Sequence, residues 1–202
     1  MTKTECCTQP MEPEKEPRLL ICATGAAAVF SLPHFLIGLR VQMPCHLTVV
    51  MSAAAGDFIT PQAIRHIADD VIDASNPEEA FASGHMKLAV SADLTLVLPC
   101  SAATLSAAAH GLAHRLIPAI VLASPRPVLF LPSMHRVMWE KPALQRNVAQ
   151  LRADGHEVAE PVWRHAYELA DRSFDEHPGL MTPAALVQVI RERLQSAESP
   201  AA

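Results

Sequence analysis

Nowhere in this chain do basic residues gather. Sixteen Lys and Arg stand against 21 Asp and Glu, a net charge of -5 over 202 residues, and without a basic stripe the electrostatic footprint of a phosphate-backbone binder is missing. Nucleic acid is excluded as a partner on that ground. Long apolar runs are also lacking: the longest, Leu116 to Ala123, is broken by Pro118 and is far shorter than the ~20 residues of a spanning helix. No membrane span is expected. Residues 1–16 mix Lys and Glu with two prolines and hold no apolar stretch of the secretory kind, so the expected compartment is the cytoplasm. The five cysteines, Cys6, Cys7, Cys22, Cys45 and Cys100, are odd in number and never spaced C-x-x-C. That pattern suits reduced thiols better than a disulfide framework or a zinc site, and no metal is expected. All five lie in the first half of the chain.

With 50% hydrophobic and 18% charged residues, the chain can bury a sizeable core, and its length favours one domain. The expected organisation is a flexible N-terminal tail over 1–16, a single domain over 17–195 and a flexible C-terminal tail over 196–202. Within the domain, short apolar runs precede amphipathic stretches. Leu19-Leu20-Ile21-Cys22-Ala23 ends at Thr24-Gly25 before a helical 26–40. Leu47 to Met51 precedes a helical 61–68, and Leu94 to Leu98 precedes a helical 103–116. Val128 to Leu131 reads as a further strand and 141–153 as a helix stopped by Gly155. The last helix opens at Thr182-Pro183, a cap followed by a first-turn proline. Such alternation predicts an α/β fold, Rossmann-like or flavodoxin-like in three layers, with helices on both faces of a central parallel sheet.

Ligands of such sheets bind at the carboxyl ends of the strands. Thr24-Gly25-Ala26 follows the first strand and offers free backbone N–H groups, although a lone glycine reads equally as an ordinary turn. Ser52 holds the same place after the second strand, as phosphate contact or plain helix cap. Pro99-Cys100-Ser101-Ala102-Ala103-Thr104 adds hydroxyls and small side chains that let backbone approach a flat ring, or pack as a capped turn. His85 can take a proton near neutral pH, though among ten histidines an arbitrary one is more often structural. Pro132 to Trp139 brings two methionines and a tryptophan to short range, side chains that pack on planar ligands and in cores alike.

Taken in order, these segments resemble the homo-oligomeric flavin-containing cysteine decarboxylases. Pro99 to Thr104 is similar to the family's Pro-Ala-Ser-Ala-Asn-Thr segment, and Pro132 to Trp139 to its Pro-x-Met-Asn-x-x-Met-Trp segment. Leu20 to Thr24 and the spacing of Ser52 and Phe58 look like its flavin-phosphate region. The resemblance implies FMN, or FAD as in related enzymes, bordered by Thr24, Gly25, Ser52, Phe58, Ser101, Ala103, Thr104 and Met138. It implies His85 as the acid–base residue, His135 facing the substrate, and assembly into trimers or dodecamers with flavin between protomers. Ala103 and His135 stand where the two motifs have asparagine.

The family has two main branches. One decarboxylates phosphopantothenoylcysteine, and the other the C-terminal cysteine of a ribosomally made precursor peptide, as in lantibiotic biosynthesis. The first branch reduces its enethiol with a cysteine in a C-terminal flap; here the corresponding 168–183 holds none, and no synthetase domain follows. The resemblance therefore favours the peptide branch, with upstream substrate residues held by a flap around Phe174 to Met181. A phosphopantothenoylcysteine decarboxylase, a flavin prenyltransferase and a non-catalytic flavin-binding regulator are the alternatives.

Overall fold

The computed structural model describes residues 16–168 and 172–198. In chain order the elements are β1 (Arg18–Ala23), α1 (Leu32–Gln42), β2 (His46–Met51), α2 (Ala53–Gly56), α3 (Pro61–Ile64), β3 (Asp70–Asp73), α4 (Pro77–Ser83) and α5 (His85–Ser91). There follow β4 (Leu94–Cys100), α6 (Ala102–Ala109), α7 (Leu116–Ala123), β5 (Val128–Pro132), α8 (Arg136–Trp139), α9 (Pro142–Ala153), β6 (Glu157–Val158), β7 (Val162–Glu168), β8 (Ser173–Gly179) and α10 (Pro183–Glu198). Six strands form one parallel sheet in the order β3-β2-β1-β4-β5-β6, as the strand–helix alternation predicts.

Strand periodicity builds the layers. Leu19, Ile21 and Ala23 of β1 enter one core with Leu32, Leu36 and Leu39 of α1 and Leu186 and Ile190 of α10. Leu20 and Cys22 point the other way, into a second core with Leu105, Ile117, Ile120, Val148 and Phe130. Because side chains alternate faces, apolar runs of this kind belong to strands covered on both sides. The order in which successive strands are added reverses between β1 and β4, which makes their carboxyl ends the switch point where an open α/β sheet has its crevice.

Four expected boundaries differ. The helix expected over 26–40 begins as a 3-10 turn, Ala27–Ser31, and becomes α-helical only at Leu32; Pro33 in the first turn has no N–H to continue an earlier ladder. The helix expected over 61–68 is the single turn of α3, capped by Thr60, whose Oγ1 accepts the Ala63 amide at 3.2 Å. That expected over 103–116 is two helices. α6 stops before Gly111, whose φ of +63° lies in the region that favours glycine, and Leu116 opens α7. The last helix starts behind its Thr182 cap as expected and runs through Glu198, into the stretch assigned to a tail. The rest of the two expected tails, 1–15 and 199–202, lies outside the described residues.

Beyond α9, β7 and β8 form an antiparallel hairpin with Val162 opposite Gly179 and Arg164 opposite His177. The stretch 168–183, read as a flap, contains the whole of its second strand, Ser173–Gly179. The hairpin leans on α8, where the Arg136 guanidinium lies 5.7 Å from the centre of the Trp163 ring, within cation–π range. Among the described residues no helix is long and apolar enough to cross a membrane.

Candidate active site

Two clefts open at the carboxyl edge of the sheet, on either side of the turns that follow β1, β2 and β4. The larger, about 580 Å³, is lined by Gly25 to Ala28, Phe30, Ser31, Ser101, Ala102, Ser133, Met134, His135 and Met138, and by Arg164, His177, Pro178 and Gly179 of the hairpin. The smaller, about 380 Å³, is lined by Ser52, Ala53, Ala103, Thr104, Pro77, Ala80 and the 114–118 segment. Both volumes are ligand-sized.

A buried hydroxyl joins the turns. Thr24 Oγ1 donates to the Pro99 carbonyl at 2.8 Å and accepts the Ser101 amide at 2.7 Å. Thr24 is 1% exposed and lines neither cleft, so its work is to tie the ends of β1 and β4 together rather than to face a ligand. Gly25 follows it. A Cβ there would stand 2.4 Å from Ala54 Cβ and 3.1 Å from that residue's backbone, so only glycine lets the β1 turn lie against α2. Ser52 and Ser101 are both helix caps, accepting the Ala55 amide at 3.2 Å and the Thr104 amide at 3.3 Å, and both also line a cleft. Capping and cleft lining therefore coexist at these positions.

The expected flavin residues divide between the clefts: Gly25, Ser101 and Met138 border the larger, and Ser52, Ala103 and Thr104 the smaller. Phe58 reaches the larger cleft only through Phe30, against which it packs edge-on with ring centres 5.4 Å apart. Trp139, read with Met138 as a wall for a planar ligand, is instead 7% exposed and belongs to the second core. Met138 alone of the pair is left half-exposed at the cleft.

His135 caps α8. Its Nδ1 accepts the Val137 amide at 3.1 Å, so in this geometry the ring proton sits on Nε2. Its ring centre is 5.0 Å from that of His177, a buried residue that sequence reasoning missed together with Arg164. No local pattern marked them, because only the hairpin brings them to the cleft. Of the other expected substrate residues, Phe174 is 78% exposed and Met181 packs against the first core; neither lines either of these two clefts. His85 stands exposed at the start of α5 and lines neither cleft of its own chain.

Cys22 and Cys100 lie beneath the site. Burial pushes the Cys22 thiol up to about 12 and raises that of Cys100 further, with a smaller contribution from neighbouring Cys22. Both stay protonated near neutral pH and are poor nucleophiles. Among the described residues no cluster of His, Cys, Asp and Glu has the makings of a metal site.

The donor set suits a phosphorylated, partly flat ligand: hydroxyls at two helix starts, a run of alanines that leaves backbone amides accessible, and apolar walls at Phe30 and Met138. A profile of the flavoprotein family matches residues 8–195. The chain belongs to the flavoprotein family. This flavoprotein is 32% identical to the mersacidin decarboxylase of Bacillus sp. (strain HIL-Y85/54728) over 169 residues, 84% of this chain and 86% of that one. It is 30% identical to the probable phosphopantothenoylcysteine decarboxylase of Streptococcus mutans over 151 residues, 71% of this chain and 82% of that one. Among solved structures, the FMN-dependent cysteine decarboxylase SpaF matches this flavoprotein with a TM-score of 0.71 at 31% identity, over 91% of this chain and 98% of that one.

Proposed function

We propose that this flavoprotein binds FMN and oxidatively decarboxylates the C-terminal cysteine of a ribosomally made precursor peptide, releasing an enethiol on the way to a lantibiotic-type product. One observation carries the reading: the two segments that resemble the cysteine decarboxylases, Pro99 to Thr104 and Pro132 to Trp139, line the crevice at the switch point between β1 and β4. Gly25, Ser52, Ser101 and Thr104 hold the flavin, with Ala103 leaving its backbone open to it, and Met138 and Phe58 shape the apolar wall.

When bound, the flavin supplies a two-electron acceptor for the oxidation of the cysteine to the thioaldehyde level. The chain's residues then have two tasks. His135 and the hairpin orient the cysteine, and His85 moves a proton. Carbon dioxide leaves from the carbon next to the thioaldehyde and the electron pair passes to sulfur, so the substrate loses carbon dioxide and two hydrogens. Described hairpin residues include no cysteine, in keeping with release of the enethiol unreduced.

His85 serves the cleft of a neighbouring copy, in a trimer or in a dodecamer of four trimers. The helices that carry it support this: Phe81 is 90% exposed and Met86 and Val90 more than half exposed around it, apolar surface that a partner copy would cover. Three buried free cysteines fit a reducing, cytoplasmic setting.

Mass spectrometry of synthetic peptides ending in cysteine tests the function. The free acid should lose carbon dioxide plus two hydrogens, and the C-terminal amide should not react. Loss of carbon dioxide alone would move the protein to the phosphopantothenoylcysteine branch, and retained flavin without any turnover would make it a flavin-binding regulator. Extraction of the yellow cofactor and chromatography separates FMN from FAD.

A further inference from the structure

α4 has 7 residues and no buried side chain, and a helix that short has no stability of its own in water. A single carboxylate fixes it. The Arg65 guanidinium at the end of α3 donates to both Glu79 oxygens, at 3.1 and 3.3 Å. The Asp73 amide at the end of β3 donates to Glu79 Oε2 at 3.0 Å, and Asn76 Nδ2 donates to Oε1 at 3.2 Å. Asn76 in turn caps the helix by accepting the Glu78 and Glu79 amides. An exposed ion pair alone counts for little; here the same carboxylate also accepts from the sheet edge and from the cap, so α3, β3 and α4 meet at Glu79. The helix leads straight to His85. Its end is followed by Gly84, whose φ of +62° is one that glycine adopts at no steric cost, and His85 opens α5 without a side-chain cap. Farther along α5, Leu88 and Ala89 pack into the second core. His85 therefore stands between an anchored stretch of α5 and a helix whose place Glu79 sets.

Resting on the reading above that His85 moves the proton, we infer that Glu79 is a positioning residue for His85: its carboxylate fixes α4 against the end of β3, and α4 fixes the imidazole. Glu79 itself lines neither cleft. A rigid mount matters because a misplacement of about 1 Å costs on the order of 100-fold in rate. The competing role for the same carboxylate is also visible, since α4 lends Pro77 and Ala80 to the wall of the smaller cleft. Support of that wall would act on flavin binding, whereas a mount for His85 acts on the chemical step.

The test compares flavin-loaded wild type, Glu79→Ala and Glu79→Gln on a peptide ending in cysteine. Glu79→Ala should lose at least about tenfold in kcat with KM and flavin affinity unchanged, the split expected when an interaction serves the reaction and not binding. Glu79→Gln keeps an acceptor for the Asp73 amide and should recover part of the loss. Unchanged kcat in Glu79→Ala overturns the proposal. So does a loss that appears in flavin affinity or KM instead, which would assign the carboxylate to the wall of the smaller cleft. Hydrogen exchange read by mass spectrometry gives a measure independent of turnover: amides over 77–88 should exchange faster in Glu79→Ala, with β1, β2 and β4 unaltered. Faster exchange there, with no conversion of any cysteine peptide by wild type, sinks the function and leaves the mount standing. Conversion by wild type, with kcat and exchange both unaltered in Glu79→Ala, does the reverse.

Discussion

The Ser101 amide donates to Thr24 Oγ1 at 2.7 Å, a bond between residues 77 positions apart that closes the crevice floor. Thr24→Val keeps the shape and removes the acceptor, leaving a part-buried N–H without its partner, which costs about 1–3 kcal/mol. Because the Thr24 amide still reaches the Pro99 carbonyl, the strands stay paired. Thermal unfolding should come on the order of 5 °C earlier, and Thr24→Ser should restore it. A melting temperature equal to wild type in Thr24→Val would mean that the hydroxyl bridge is dispensable.

Gly25 is bounded by packing, not by its backbone angles. Gly25→Ala must push α2 away, an overpacking of about 1–3 kcal/mol, and since Ser52 caps that helix, flavin affinity should drop with stability. Adding Ala54→Gly removes the 2.4 Å contact and leaves the 3.1 Å backbone contacts, so the double variant should recover part of the loss. Flavin titration of the three proteins decides it. Additive losses would show that the two residues do not meet.

Burial of Cys22 and Cys100 sets a further expectation. At pH 8 a thiol-specific reagent should leave both unmodified in the native protein and label both after denaturation, as read by peptide mapping. The folded state keeps the Cys22 proton to about pH 12 where a free thiol releases it near 9.0. Raised thiol values in the folded state mean that stability is intact below pH 9 and is lost as pH climbs through that window, with a slope of about 1.4 kcal/mol per pH unit for each retained proton. Cys22→Ala should flatten the alkaline limb of a stability profile. Rapid native labelling of Cys100 would instead identify it as an accessible site thiol.

Much of this architecture is legible in the sequence because strands covered on both faces read as plain apolar runs, as Leu19 to Ala23 and Leu94 to Leu98 do. β3 is not, since Asp70 and Asp73 bracket two apolar residues, and β6 has only two residues. At the site, segments after strands were found because topology places strand ends together. What short-range pattern does not carry is direction: Trp139 turns into the core while Met138 faces the cleft, one residue apart. Nor does it carry pairing. Arg164 and His177 meet through a hairpin whose strands lack the strict alternation that announces a ribbon, and the one local signal, His177-Pro178-Gly179, reads as a turn.

His85 offers the sharpest test of the proposed sharing of a site between copies, because it is exposed and lines neither of the two clefts of its own chain. His85→Asn should retain flavin and assembly and lose turnover, since an amide cannot accept the proton near neutral pH. Thr104→Arg, which fills the smaller cleft, should lose flavin while still presenting His85. Neither protein alone should act on a cysteine peptide. Co-expressed in equal amounts, they should form mixed rings in which some clefts combine an intact flavin site with a neighbour's His85, and random assembly predicts roughly a quarter of wild-type turnover. Mixing after separate purification should give less, by as much as subunit exchange is slow. Absence of any recovery in the co-expressed sample, with size measurements showing mixed oligomers, would place the action of His85 within its own chain, and full activity of His85→Asn alone would remove it from the chemistry altogether.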